Sequence, residues 1–432
     1  MTAPFPSSSP RRIRQGNVIA ALRALFEHGR LSRAEIARHL GLNRSSSGHI
    51  VTELEASALV REVTADRSQH EANSGPGSGP GRRGGAGRPG ILLELDPGAA
   101  SFIGTEIGVE HITTLRIDLA AGIVGQRIEP FDGRAVPARE AIRCALAQAL
   151  DGLPPEAAAR VEGFGLSAPA QMDATGKVRV APLLGWRDED LGRLAREALA
   201  ESAGADLAGS RLDPDLPIMV ENEANAFAFG EGYRDRGGRR GVTLFLVLET
   251  GVGGGIVIDG RLFRGGHGLA GEIGHARYRD GGEFEQLLGL GHLLRRYREE
   301  GAAGDATGGA SGGATLAGFL DHVRDRVPAA VGIAEDWSRD LAHAIATACR
   351  LIDPNRIVLG GSVAALYPLV AASVAHYLGA AQAPSFPVPA ITVHEAPETG
   401  AAFGAACMLH QRFLSLENQT LTDQQIEADP PA

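Results

Sequence analysis

At 432 residues, with 44% hydrophobic and 22% charged side chains, the chain has room for more than one packed domain and an ordinary globular composition. Its formal net charge of −10 excludes binding of nucleic acid through bulk positive charge. Three widely spaced cysteines, Cys144, Cys349 and Cys407, form no Cys-x-x-Cys pair, which argues against a disulfide framework and a cysteine zinc site.

No leader-like apolar run opens the chain and no stretch approaches ~18 uninterrupted apolar residues, so the expected location is the cytoplasm, with no membrane partner. Residues 11–64 carry helical spacing: Val18, Ile19, Leu22, Leu25 and Phe26 recur on one face. Ser32 is placed to cap a second helix, with Glu35 three residues on as its capping-box partner. Gly41 ends that helix, and Asn43 is a suitable N-cap for a third, with Ile50, Val51 and Leu54 facing inward. Two helices joined by a short Gly-containing turn after a preceding helix form the pattern of a helix-turn-helix unit. Residues 1–60 hold eight Arg against four Glu, a basic unit on an acidic body. Arg44, Ser45, Ser46 and His49 open the third helix with side chains suited to base edges and phosphates of double-stranded DNA. Residues 66–90 are too rich in Gly, Pro and Ser to pack a core. Their distal half, "GRRGGAGRPG", has the composition of a wing, with Arg88 the candidate for a narrow minor groove; a plain interdomain linker has the same composition.

From Ile91 the pattern becomes α/β. "FIGTEIGV", "ITTLRIDLAA" and "GIVGQRIEPF" read as successive strands, residues 138–151 as a helix, and "RVEGFGLSA" as a buried strand. "LPIMVENEANAFAFGEGY" reads as a strand entering a helix near Asn222. "VTLFLVLETGVGGGIVIDGRLFRG" reads as a strand, a glycine loop, a strand and an Asp259-Gly260 turn. Residues 301–315 read as a surface loop, Ala334–Leu351 as a long helix, "NRIVLGGSV" as a strand into glycines, and "ETGAAFGAACMLHQRF" as a closing helix. The expected domains are 11–90, a winged helix-turn-helix; 91–415, an α/β effector domain; and a disordered tail, 416–432.

"EIGVE" (106–110), "ENEANA" (221–226) and "ETGVGGGIVIDGRLFRGGHGLAGEIGH" (249–275) lie among "GLSAPA", "APLLGW" and "NRIVLGGSV". With the N-terminal helical unit, this set resembles the ROK family (repressors, open reading frames and kinases), and within it the xylose-repressor-type regulators, over roughly residues 12–412. The resemblance implies a two-lobed, actin-like (ribonuclease H-like) sugar-kinase fold, a small carbohydrate ligand, and for kinase members ATP and a Cys₃His zinc site. Several positions depart from that pattern. In the first phosphate hairpin, Glu106 stands for the family's Asp, Val109 for its second glycine and Glu110 for its Thr. A β-branched residue and a carboxylate both oppose a phosphate. The second loop opens with Glu249 where the family has Gly. With phosphate binding lost, Gly253 to Gly255 and Gly360 to Gly361 are read as tight-turn glycines. Glu223 stands at the position of the catalytic Asp; its extra methylene moves the carboxylate by about 1 Å, a shift that can cost ~100-fold in rate. The three zinc cysteines are missing, so neither zinc nor ATP is expected as cofactor. The family's sugar contacts map to Asn222, Glu223, Glu272, His275 and Glu285, while Leu183 replaces an Asn that touches a hydroxyl. Trp186 is read as core. The expectation is a DNA-binding regulator of carbohydrate metabolism, a repressor acting as a homodimer or tetramer, with no catalytic residue. The rival expectation is an active ROK sugar kinase with an appended DNA-binding domain.

Overall fold

The computed structural model describes residues 10–42, 44–64, 91–173, 175–204, 212–234, 240–278, 281–300, 314–382, 386–394 and 399–415, with side chains except at 10–15, 44–47, 64 and 203–204. Asn43, the wing candidates including Arg88, most of the 301–315 loop and the tail lie outside the described residues.

The N-terminal unit is helix Pro10–His28, strand Leu31–Ser32, helix Arg33–His39, helix Arg44–Ala56, strand Val60–Thr64 and strand Ile91–Leu95. The capping box forms as the sequence predicts: Ser32 N donates to Glu35 Oε2 at 2.8 Å and Glu35 N donates back to Ser32 Oγ at 3.3 Å. Gly41 takes a left-handed φ of 63° behind the second helix, a conformation that favours glycine. Ile50, Val51 and Leu54 pack against Leu22, Leu25 and Ile36, so the three helices share one core. Strand Ile91–Leu95 lies between the other two, antiparallel to each. It belongs to the winged unit's sheet, so the boundary expected at 90/91 moves past Leu95. The correction follows from pairing between segments that the Gly-rich stretch separates in sequence.

Beyond Ser101 the chain folds as two lobes with one topology. In the first lobe the sheet order is Ile218–Asn222, Val161–Ala168, Ser101–Ile107, His111–Asp118, Ile123–Pro130. In the second it is Ala390–Val393, Arg356–Gly360, Val242–Leu248, Val252–Ile258, Arg261–Leu262. In each lobe an antiparallel meander of three strands continues into two parallel strands reached by helical crossovers. This is the ribonuclease H-like fold, used twice.

The long helix of the second lobe runs from Pro328 to Ile352, starting earlier than expected. Pro328 sits in its first turn, where a missing N–H costs nothing, and Gly332 is carried in the interior at about 1 kcal/mol relative to Ala. By length and composition the helical stretch Ser362–Ala381 is apolar enough to cross a membrane. Here Val363, Leu366, Val370, Val374 and Leu378 are buried in the second lobe's core.

Two helices join the lobes. Glu223–Arg234 leaves the first sheet and packs on the second lobe's hairpin; Gly400–Phe413 leaves the second lobe and packs on the first sheet. They cross in backbone contact. A Cβ on Gly404 would stand 1.7 Å from Ala226 O, and one on Gly230 would stand 2.9 Å from Gly404 Cα. Gly253 and Gly255 were expected to make tight turns. They lie inside strand Val252–Ile258, where added Cβ atoms would fall 2.8 Å from Ala224 Cβ and 2.6 Å from Ala228 Cβ, so they serve close approach of the helix instead.

Candidate functional site: an acidic cleft between the lobes

Strand Ser101–Ile107 carries Glu106 next to its end, strand Ile218–Asn222 delivers Glu223 to the start of its helix, and the second lobe contributes Glu249, Glu272 and Glu285. Burial pushes the Glu106 carboxyl well up, and the neighbouring Glu223 and Glu249 charges add to the shift. Burial likewise raises Glu223, to about 7, with Glu249, Glu272 and Glu285 repelling its charge. Glu272 is raised by burial against the opposing pull of His275 and a hydrogen bond from Gln171. Negative charge therefore converges on one desolvated cleft.

The first hairpin closes tightly: Gly108 N donates to His111 O at 2.9 Å. Val109 packs on the first lobe's core, and its carbonyl accepts from Gly133 N at 2.8 Å while that of Glu110 accepts from Phe131 N at 2.9 Å. The Glu110 side chain is exposed. In the second loop, the Glu249 carboxylate takes both donors of Ser362: the backbone N–H at 2.5 Å and the hydroxyl at 2.7 Å. Gly361 makes this possible. Its φ is 82°, and a Cβ there would lie 2.4 Å from Leu248 O. An N–H presented by such a glycine turn is an anion-binding position, and the chain's own carboxylate fills it. A Cβ on Gly251 would lie 2.9 Å from Glu285 Oε2 and 3.2 Å from Leu183 Cδ1, so this loop is covered from both lobes.

His275 stands between two carboxylates, with Glu283 Oε2 3.1 Å from Nδ1 and Glu272 Oε2 3.6 Å from Nε2. Burial opposes its charge, but the Glu283 hydrogen bond and the charges of Glu272 and Glu285 outweigh it and raise its pKa. Gln171 Nε2 donates across the cleft to Glu272 Oε2 at 3.3 Å. Glu285 Oε2 accepts from Val252 N at 3.0 Å. Asn222 works as a helix cap: its Oδ1 accepts from Ala224 N and Asn225 N, and its Nδ2 donates to Ala170 O. One amide N–H of Asn222 is left for another partner. Glu223, Glu272, His275 and Glu285 thus meet in one cleft, with Asn222 holding its edge.

Sequence reasoning did not single out Glu283, Gln171 or Ser362 for these roles. It also missed the ion pair in which the half-exposed Arg264 reaches the buried Glu221, with Nε and Nη2 at 2.8 and 2.6 Å from Oε2, tying the second lobe's loop to the first lobe. Glu221 carried a signal, being a carboxylate inside an apolar strand. Trp186 is buried as expected and donates from Nε1 to Val136 O at 3.1 Å. Among the described residues no group of three or more His, Cys, Asp or Glu is arranged to hold a metal ion. On the winged unit, Arg44, Ser45 and Ser46 open the third helix and His49 is exposed on it.

Comparison with known proteins places this geometry. The family model "ROK family" matches residues 102–412. A putative xylose repressor of Caldicellulosiruptor sp. (strain Rt8B.4) is 24% identical over 364 residues, covering 81% of this chain and 83% of its own. The xylose repressor of Bacillus subtilis (strain 168) is 25% identical over 61% of this chain, and the match spans 60% of that repressor's length. The glucokinase of Streptomyces coelicolor is 30% identical over 60% of this chain and 83% of its own. A ROK family transcriptional regulator, a homolog of the E. coli MLC protein, superposes with a TM-score of 0.69 at 19% identity, covering 93% of this chain and 97% of that one. A ROK glucokinase from Streptomyces griseus, solved with glucose and AMPPNP, gives 0.60 at 26% identity, covering 72% of this chain and all of that one. The likeness to the glucokinase covers 72% of this chain and the likeness to the regulator covers 93%. With more than half its length matched by the family model, the chain belongs to the ROK family.

Proposed function

We propose that the chain is a sugar-responsive transcriptional regulator, whose winged helix binds operator DNA and whose interlobe cleft binds a small carbohydrate without phosphorylating it. One arrangement carries the reading: a winged helix is packed onto a two-lobed sugar-kinase frame whose anion position, the Ser362 N–H, is filled by the chain's own Glu249. A triphosphate entering there meets a carboxylate, and it meets Val109 at the other hairpin, so the residues present do not fit ATP. The sugar side keeps groups that suit vicinal hydroxyls: Glu272 and Glu285 as acceptors, and His275 as a donor oriented by Glu283. A homodimer is the natural assembly, because two winged helices read two half-sites at fixed spacing. The repressor-named relatives support the same reading.

A thermal-shift screen of the full chain against aldoses, their phosphates and Mg-ATP tests it. Saturation at ~100-fold over Kd adds about 2.7 kcal/mol. A shift with one sugar and none with Mg-ATP is expected; a shift with Mg-ATP overturns the loss of nucleotide binding. One observation favours the kinase alternative. Glu223, raised to about 7, has a pKa matched to a general base at neutral pH, and sugar-dependent ADP release would establish it.

A further inference from the structure

We infer that helix Glu223–Arg234 is the rigid lever carrying the state of the cleft to the DNA-binding unit, with Phe26 as the side chain that receives it. The inference rests on the regulator reading above and adds the route by which the two sites communicate. At one end of the helix, Glu223 faces the carboxylates of the cleft. At the other, the Tyr233 ring stacks on Phe26 of the winged unit's first helix, with centroids 5.2 Å apart and planes 25° from parallel.

Tyr233 is itself fixed. Its hydroxyl lies 2.6 Å from Nδ1 of His410, a side chain with no exposed surface. His410 Nε2 lies 2.8 Å from the Leu119 carbonyl, which only accepts, so Nε2 carries the proton and Nδ1 accepts from Tyr233. The His410 ring in turn packs on Phe26 at 4.8 Å. Phe26 is thus seated on one residue from each of the two interlobe helices.

Between its ends the helix has no compressible layer. Gly253 and Gly255 press on it from the second lobe and Gly404 from the crossing helix, each at a distance that leaves no room for a methyl. Packed this closely, the helix has to move as a body. A change at Glu223, whether a ligand hydroxyl bound or a charge removed, therefore displaces Tyr233 and re-seats Phe26. The energy for this exists in the cleft, where ligand contacts change the repulsion that Glu223 feels, and a switch requires just such a difference between states.

The test is amide hydrogen exchange of the full chain, followed in the first helix over residues 17–28. Wild type is compared with itself under saturating D-xylose or D-glucose, and with Glu223→Gln. The same set is repeated in Phe26→Leu, which keeps an apolar side chain but loses the ring. Tyr233→Phe keeps the ring and loses the bond to His410. Upstream DNA of the chain's own gene is titrated in parallel by fluorescence anisotropy. At least a threefold change in first-helix exchange is expected on Glu223→Gln or sugar in wild type, falling below 1.5-fold in Phe26→Leu and partly retained in Tyr233→Phe. DNA affinity in Phe26→Leu should stay within threefold of wild type. If first-helix exchange does not respond in wild type to either sugar or to Glu223→Gln, the lever is refuted. If it responds equally in Phe26→Leu, the route through Phe26 is refuted. Exchange that responds while DNA binding is absent leaves the lever standing and refutes the regulator reading.

Discussion

Replacing Glu223 by Gln should stabilise the protein, and far more at neutral to alkaline pH than at acid pH. The folded carboxyl titrates at about 7, against 4.5 for an ordinary glutamate. Below pH 4.5 it is protonated in both folded and unfolded chains and has no effect. Between 4.5 and 7 the unfolded chain ionises first, so stability falls as pH rises; above 7 the full cost is present. At ~1.36 kcal/mol per pH unit the cost approaches ~3.4 kcal/mol at pH 8 and stays below ~1 kcal/mol at pH 5. Water reaching the cleft reduces the pH 8 value to about 2 to 3 kcal/mol. With about 2 cal/mol/K of unfolding entropy per residue over roughly 310 residues, Tm should rise by about 3 to 5 °C at pH 8 and by about 1 °C at pH 5. Differential scanning calorimetry at both pH values measures this. An equal rise at the two pH values, or a fall at pH 8, would refute the claim that converging, desolvated charge sets the behaviour of the cleft.

Other outcomes follow from the same geometry. Glu249→Ala removes a carboxylate that holds both donors of Ser362 and should cost about 1.5 to 3 kcal/mol in urea unfolding; an unchanged midpoint would mean that water replaces it freely. Gly404→Ala drives a methyl to 1.7 Å from Ala226 O and should cost at least ~3 kcal/mol or prevent folding, whereas Gly379→Ala, at an exposed helix position with open space around it, should cost far less. Glu283→Gln removes the charge, and weakens the hydrogen bond, that help keep His275 protonated. Because a raised His pKa gives stability present below about 6.5 and lost as pH rises through the folded value, this variant should destabilise at pH 5.5 and be nearly silent at pH 9. An NMR titration of His275 should show its pKa fall, and an unmoved titration would refute the pairing.

Local features were legible in the sequence because they depend on neighbours. The Ser32 and Glu35 capping box lies within four residues, and the Asp259-Gly260 turn forms with both residues at positive φ. The cleft's carboxylates were legible through their motifs. What stayed hidden is non-local. The partner of Glu249 is Ser362, 113 residues on, and nothing in either segment names the other. Gly253 and Gly255 read as loop glycines because sequence does not reveal which helix will press on a strand. Strand Ile91–Leu95 was assigned to the wrong unit since its pairing partners lie across the low-complexity segment. Asn222 matched a ligand motif, and nothing in the sequence marked it as also capping the helix it precedes, a role that residue type fits equally well.

On the reading proposed here, one chain reads both DNA and sugar and performs no phosphoryl transfer. Anisotropy titration of the full chain with DNA from upstream of its own gene, against random DNA, with and without D-xylose or D-glucose, tests it most directly. Binding at least ~10³-fold tighter than to random DNA is expected, altered by one of the sugars, with no ADP formed when Mg-ATP is added. Binding no tighter than to random DNA, together with sugar-dependent ADP release, would contradict it.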